Sequence, residues 1–134
     1  MRTYLVLISA IAALISTPAL AQRPACDGDF AVVRVSEIKP SSSMEQYLKA
    51  LDAHKAWYRS HGFMNNEIHT AKMLVLDKST NSWKYSDSEI MSFHIRPPLP
   101  QDLKLDAAWD AFVRQYDESS EIKAEYSICL PKNP

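Results

Sequence analysis

From Phe30 onward, hydrophobic and polar positions divide the chain into six segments. Phe30 to Ile38 is rich in β-branched residues and stops before Pro40, which predicts a strand. Ser41-Ser42-Ser43 follows, with Glu45 three residues after Ser42 and Gln46 three after Ser43. Either pair forms a capping box that opens a helix. That helix carries Met44, Tyr47, Leu48, Leu51 and Tyr58 on one face, and Gly62 is placed to end it. Glu67 to Leu76 predicts a second strand. Asp77 to Asp87 is polar and turn-rich apart from Trp83 and Tyr85, which predicts a long hairpin loop. Glu89 to Arg96 alternates as a third strand and is stopped by Pro97-Pro98. Past Pro100, Asp106 is an N-cap for a second helix whose apolar face is Ala108, Trp109, Phe112, Val113 and Tyr116. Ala124 to Leu130 alternates as a fourth strand.

Strand, helix, strand, strand, helix, strand is two split β-α-β units. With right-handed crossovers they give an antiparallel sheet of order 4-1-3-2 with both helices on one face. Within the third strand, Met91, Phe93 and Ile95 are the more apolar set and are expected to meet the helices. Ile90, Ser92, His94 and Arg96, with Arg34 and Ser36 of the first strand, are then expected on the opposite face.

The first 21 residues differ from the rest. Arg2 is their only charge, an apolar run extends from Leu5 to Ile15, and the segment ends Ala19-Leu20-Ala21. This is the pattern of a secretory signal peptide cleaved before Gln22. It implies a periplasmic or secreted protein with one domain over residues 22–134. The competing reading, an uncleaved anchor, has too short an apolar core for a span of ~20 residues. Cleavage removes one of the 15 basic residues and none of the 16 acidic ones, leaving a net charge of −2. That balance offers nothing to nucleic acid or to an anionic membrane surface, so neither is an expected partner. In an oxidising compartment Cys26 and Cys129 most simply pair. The proposed strand order supports this, because the start of strand 1 would meet the end of strand 4.

Only Gly28 and Gly62 are glycines, which excludes the glycine-rich cradles of phosphate and dinucleotide sites. Nucleophile-elbow, zinc-helix and C-x-x-C signatures are also absent. The chain nevertheless resembles the dimeric α/β-barrel superfamily, a ferredoxin-like α+β group. The likeness lies in element order over Asp29 to Leu130, in a first helix ending His61-Gly62-Phe63, and in Ala107 to Tyr116 running through a Ser-rich link into the last strand. It is similar to the small cofactor-free monooxygenases and stress-responsive barrel proteins of that group. The resemblance implies a homodimer, joined through the open sheet faces, and no cofactor. Haem-degrading members carry a histidine on the second helix, and Ala107 to Glu118 has none.

Candidate chemistry rests on histidines. His54, Trp57 and His61 lie at i, i+3 and i+7 of the first helix, a stripe beside its apolar face that could line a pocket for a small organic molecule. His54 and His61 are the candidate general bases; Trp57, Tyr58, His94 and Arg96 are the candidate ligand-binding residues. The plainer alternative is that the stripe only borders the core. A metal shared by His54 and His61 is not expected, since seven residues separate them by ~11 Å along the axis. His69 reads as an edge histidine, and Trp83 and Tyr85 as anchors of the hairpin loop or a lid. The carboxylates Asp87, Glu89, Asp106 and Asp110 are explained by solvation and capping. A different class of function, a noncatalytic periplasmic interaction or stress module, fits the same residues.

Overall fold

The computed structural model describes residues 25–95 and 99–131. The segment expected to be a signal peptide and Arg96 lie outside them. The described chain runs β1 (Asp29–Ile38), α1 (Met44–Ser60), β2 (Glu67–Asp77), β3 (Ser82–Ile95), α2 (Ala107–Ser119) and β4 (Ser120–Leu130). The strands form one antiparallel sheet ordered β2-β3-β1-β4, the expected 4-1-3-2 read from its other edge. The fold is ferredoxin-like α+β.

Of the two possible capping boxes, the chain uses the later. Ser43 Oγ accepts the Gln46 amide at 3.2 Å, and Gln46 Oε1 accepts the Ser43 amide at 3.0 Å. Past the last turn of α1, Gly62 takes φ +83°, a left-handed conformation that a side chain would strain. There its amide closes on Arg59 O at 3.1 Å. Asp106 caps α2 by accepting the Trp109 amide at 3.0 Å.

Cys26 and Cys129 are disulfide-bonded across a separation of 103 residues. The pairing follows from register, since Phe30 lies opposite Cys129 and Asp29 opposite Leu130. Gly28 completes this corner: a Cβ there would stand 1.7 Å from Leu130 O, so only glycine fits.

Three expectations are corrected. Trp83 and Tyr85 do not sit in a loop. β2 and β3 continue as a two-stranded ribbon to a short turn at 78–81, where Asn81 has φ +53° and Asp77 Oδ1 accepts the Ser79 amide. Leu74 pairs with Tyr85 and Leu76 with Trp83, and all four remain exposed. Cross-strand apolar contact holds the ribbon where polar composition suggested a loop. β4 likewise begins at Ser120, directly after α2, with a register shift opposite Val35/Ser36.

The third correction concerns the faces of the sheet. Ile90, Ser92 and His94 of β3, with Arg34 and Ser36 of β1, lie under the helices. Ile90 and Ile68 join Tyr47, Leu51, Trp57, Tyr58, Phe112 and Ile38 in the core. Met91, Phe93 and Ile95 take the opposite face in register with Val35, Val33 and Ala31. Alternation separates two faces but does not say which is covered. Here the more polar set is enclosed, because it lines a cavity.

Candidate functional site

Between the helix layer and the sheet lies a cavity of about 690 Å³, within the usual range for a small-molecule site. β1 and β3 supply its floor through Arg34, Ser36, Ser92 and His94. α1 contributes Tyr47, His54 and Tyr58, and α2 contributes Trp109, Phe112 and Tyr116. Lys39, Ile68, Val113, Asp117, Ser120, Glu121 and Ile122 complete the lining. Val113 and Ile122 remain exposed.

His54 is the centre of this arrangement. It lies on the core face of α1, three residues after Leu51 and four before Tyr58, and is 7% exposed. Its ring stacks on Phe112 at 4.4 Å with an 18° interplanar angle. The edges of Trp109, Tyr116 and His94 stand at 5.9, 5.8 and 5.1 Å, and Tyr58 is tilted at 5.2 Å. Its Nδ1 lies 3.4 Å from the Tyr116 hydroxyl. Burial, reinforced by Tyr47, pushes the Tyr116 hydroxyl well above the ordinary phenol range, with Arg34 opposing more weakly. It therefore stays a neutral donor or acceptor beside the imidazole. On the floor, Arg34 Nε donates to Glu125 Oε2 at 2.6 Å.

His94 is buried directly below. Its Nε2 lies 2.5 Å from Asn66 Oδ1, and its ring is 5.2 Å from that of Tyr58. Tyr58, His54 and His94 are thus brought together at the cavity. His94 reaches it from the helix-covered face, with Arg34 as a neighbour on β1, rather than from the open face.

Trp57 and His61 belong elsewhere. They turn from the cavity toward the start of α2, where Trp57 Nε1 donates to Asp106 Oδ1 at 2.8 Å. His61 Nε2 is 3.3 Å from Asp106 Oδ2, and its Nδ1 lies 2.8 Å from Trp57 O. The two rings stack at 4.1 Å. With a carbonyl at one ring nitrogen and a carboxylate near the other, His61 is part of an α1–α2 clasp. The amide of Trp109 first, and then the Trp57 indole, hold the Asp106 carboxyl below its ordinary range. The stripe of His54, Trp57 and His61 splits because a helix of 3.6 residues per turn carries i+3 and i+7 to the same side of i, by about 60° and about 20°. His54 keeps the sheet side.

His69 is exposed and paired with Glu67 at 2.8 Å. Among the described residues, no group of three or more histidine, cysteine, aspartate or glutamate side chains gathers as metal ligands would. Sequence reasoning read Tyr47, Trp109, Phe112 and Tyr116 as helix packing alone. The concentration of rings on α2, one bearing a hydroxyl, was the available signal. Asn66, in the α1–β2 turn, gave none. The chain matches no protein family, no curated protein and no solved structure.

Proposed function

We propose that this is an exported, disulfide-locked protein of the dimeric α/β-barrel type. In this reading it holds a small aromatic or quinone-like molecule between helices and sheet and moves a proton on it with His54. The supporting observation is an imidazole enclosed by aromatic rings in a cavity large enough for such a molecule, with a neutral hydroxyl 3.4 Å from Nδ1. Flat rings give a flat ligand stacking surfaces, and the imidazole supplies a base suited to neutral pH. Removing a proton at one atom and returning it at another is an isomerisation. If the proton comes from a CH₂ between aromatic rings, the carbanion can react with dioxygen. CH₂ and O₂ then become C=O and H₂O, with no cofactor.

The open sheet face supports the dimer. It presents apolar rows across β3, β1 and β4: Phe93–Val33–Tyr126, Met91–Val35–Ala124 and Ile95–Ala31–Ile128. A second copy of this surface is the occupant that the resemblance implies. The disulfide and the N-terminal pattern support a periplasmic or secreted location, and no helix among the described residues is long and apolar enough to cross a membrane. A second reading, a noncatalytic interaction module, is favoured by the projecting ribbon with Trp83 and Tyr85 at 67% and 59% exposure.

Native mass spectrometry of the mature protein from a periplasmic fraction tests the first reading. A dimer carrying a reproducible organic adduct that His54→Ala loses is the expected result. Bare protein with and without His54 would move the assignment to the interaction module.

A further inference from the structure

We propose that Asn66 is the positioning residue of this site. Its side-chain carbonyl accepts the Nε2 proton of His94 and so fixes that imidazole as the Nε2–H tautomer, with Nδ1 as its basic nitrogen. The inference rests on the proton-transfer reading of the cavity and adds a second, oriented imidazole to it.

Backbone geometry sets the contact. Gly62 turns the chain at φ +83°, the Phe63 amide returns to Tyr58 O at 2.9 Å, and the Asn66 amide binds Phe63 O at 3.1 Å. These bonds deliver Asn66 to the start of β2, two residues before Ile68. Ile68 is the cross-strand partner of His94, so Asn66 stands on the diagonal of that pair. The side-chain oxygen then lies 2.5 Å from His94 Nε2.

An amide oxygen only accepts, so this bond requires the proton on Nε2. A neutral imidazole has one N–H, and its other nitrogen carries the lone pair. His94 lines the cavity while Asn66 does not. The amide thus engages the imidazole from outside the cavity and leaves the ring's lone pair on Nδ1. Asn66 Nδ2 is buried and has no partner among the described residues, so the amide is held through its oxygen. The His94 and His54 ring centroids are 5.1 Å apart at 84°, close enough for both imidazoles to address one bound molecule.

The test is ¹⁵N NMR of imidazole-labelled protein without ligand, comparing wild type, Asn66→Asp and Asn66→Leu. Wild type should show His94 with protonated Nε2 and unprotonated Nδ1. Asn66→Asp keeps an acceptor and should keep the proton on Nε2, whereas Asn66→Leu should give a mixture of the two tautomers. An Nδ1–H signal in wild type would overturn the proposal, because the amide would then be donating. An unchanged tautomer in Asn66→Leu would overturn it too, and Asn66→Ala serves if the leucine variant does not fold. Titration with 2-naphthol, followed by tryptophan fluorescence, separates this outcome from the cavity reading. A fixed tautomer without naphthol binding would leave Asn66 in its role and remove the aromatic ligand.

Discussion

The Tyr116 hydroxyl stands 3.4 Å from Nδ1 of His54, joining one helix to the other across the roof of the cavity. The hydroxyl is enclosed, and burial pushes its ionisation upward. In the unfolded chain Tyr116 ionises near the ordinary tyrosine value of about 10. Below that pH both states hold the proton and the group leaves stability unchanged. Above it the unfolded chain releases the proton while the folded protein keeps it, so stability falls as pH rises. Thermal melts from pH 8 to 11 should therefore show an alkaline decline that Tyr116→Phe flattens. An identical decline in the variant would place its cause elsewhere.

Phe112 stacks on His54 at 4.4 Å and is 2% exposed, so it serves both the core and the site. Phe112→Ala should cost about 3–5 kcal/mol in urea unfolding, the usual penalty for emptying a buried aromatic position. Phe112→Leu restores most of the volume but not the flat surface. It should recover much of the stability while still weakening an aromatic ligand, as read by tryptophan fluorescence.

His54 and His61 share a helix but should separate cleanly by measurement. His54→Ala should abolish adduct or naphthol binding in a folded protein. His61→Ala should leave binding intact and lower the melting temperature, because it removes a ring stacked on Trp57 and a partner of Asp106. The carboxyl of Asp106 ionises below its usual range. Its contribution is therefore present above the unfolded value of about 3.9 and fades as pH falls through the folded one. Asp106→Asn should reduce the acid sensitivity of the melting temperature, and an unchanged acid limb would rule the clasp out as its source.

The parts of the fold that local chemistry dictates were legible in the sequence. The serine run with Glu45 and Gln46 announced α1, Asp106 announced α2, and the strand order brought Cys26 to Cys129. Which sheet face is covered was not, because Phe93 and His94 differ only by alternation and the usual rule buries the more apolar set. A cavity reverses that rule by enclosing His94, Ser92 and Arg34. The role of Asn66 was also hidden, since it depends on a cross-strand diagonal that no spacing along the chain records.

That reversal leaves the apolar rows on the uncovered face. If the apolar rows of the open face meet a second copy, a charge placed at their centre should separate the copies without disturbing the cavity. Val35 fits this purpose: it lies between Met91 and Ala124 on the open face and is only half-buried in one chain. Desolvating an unpaired carboxylate in an apolar interface costs far more than any contact it could add. Val35→Glu should therefore convert a dimer to a monomer in light scattering after size exclusion, while 2-naphthol still quenches tryptophan fluorescence. Wild-type protein eluting as a monomer would remove the dimer outright. A Val35→Glu dimer would show that the copies meet through another surface, and the projecting ribbon of Leu74, Leu76, Trp83 and Tyr85 would be the next one to mutate.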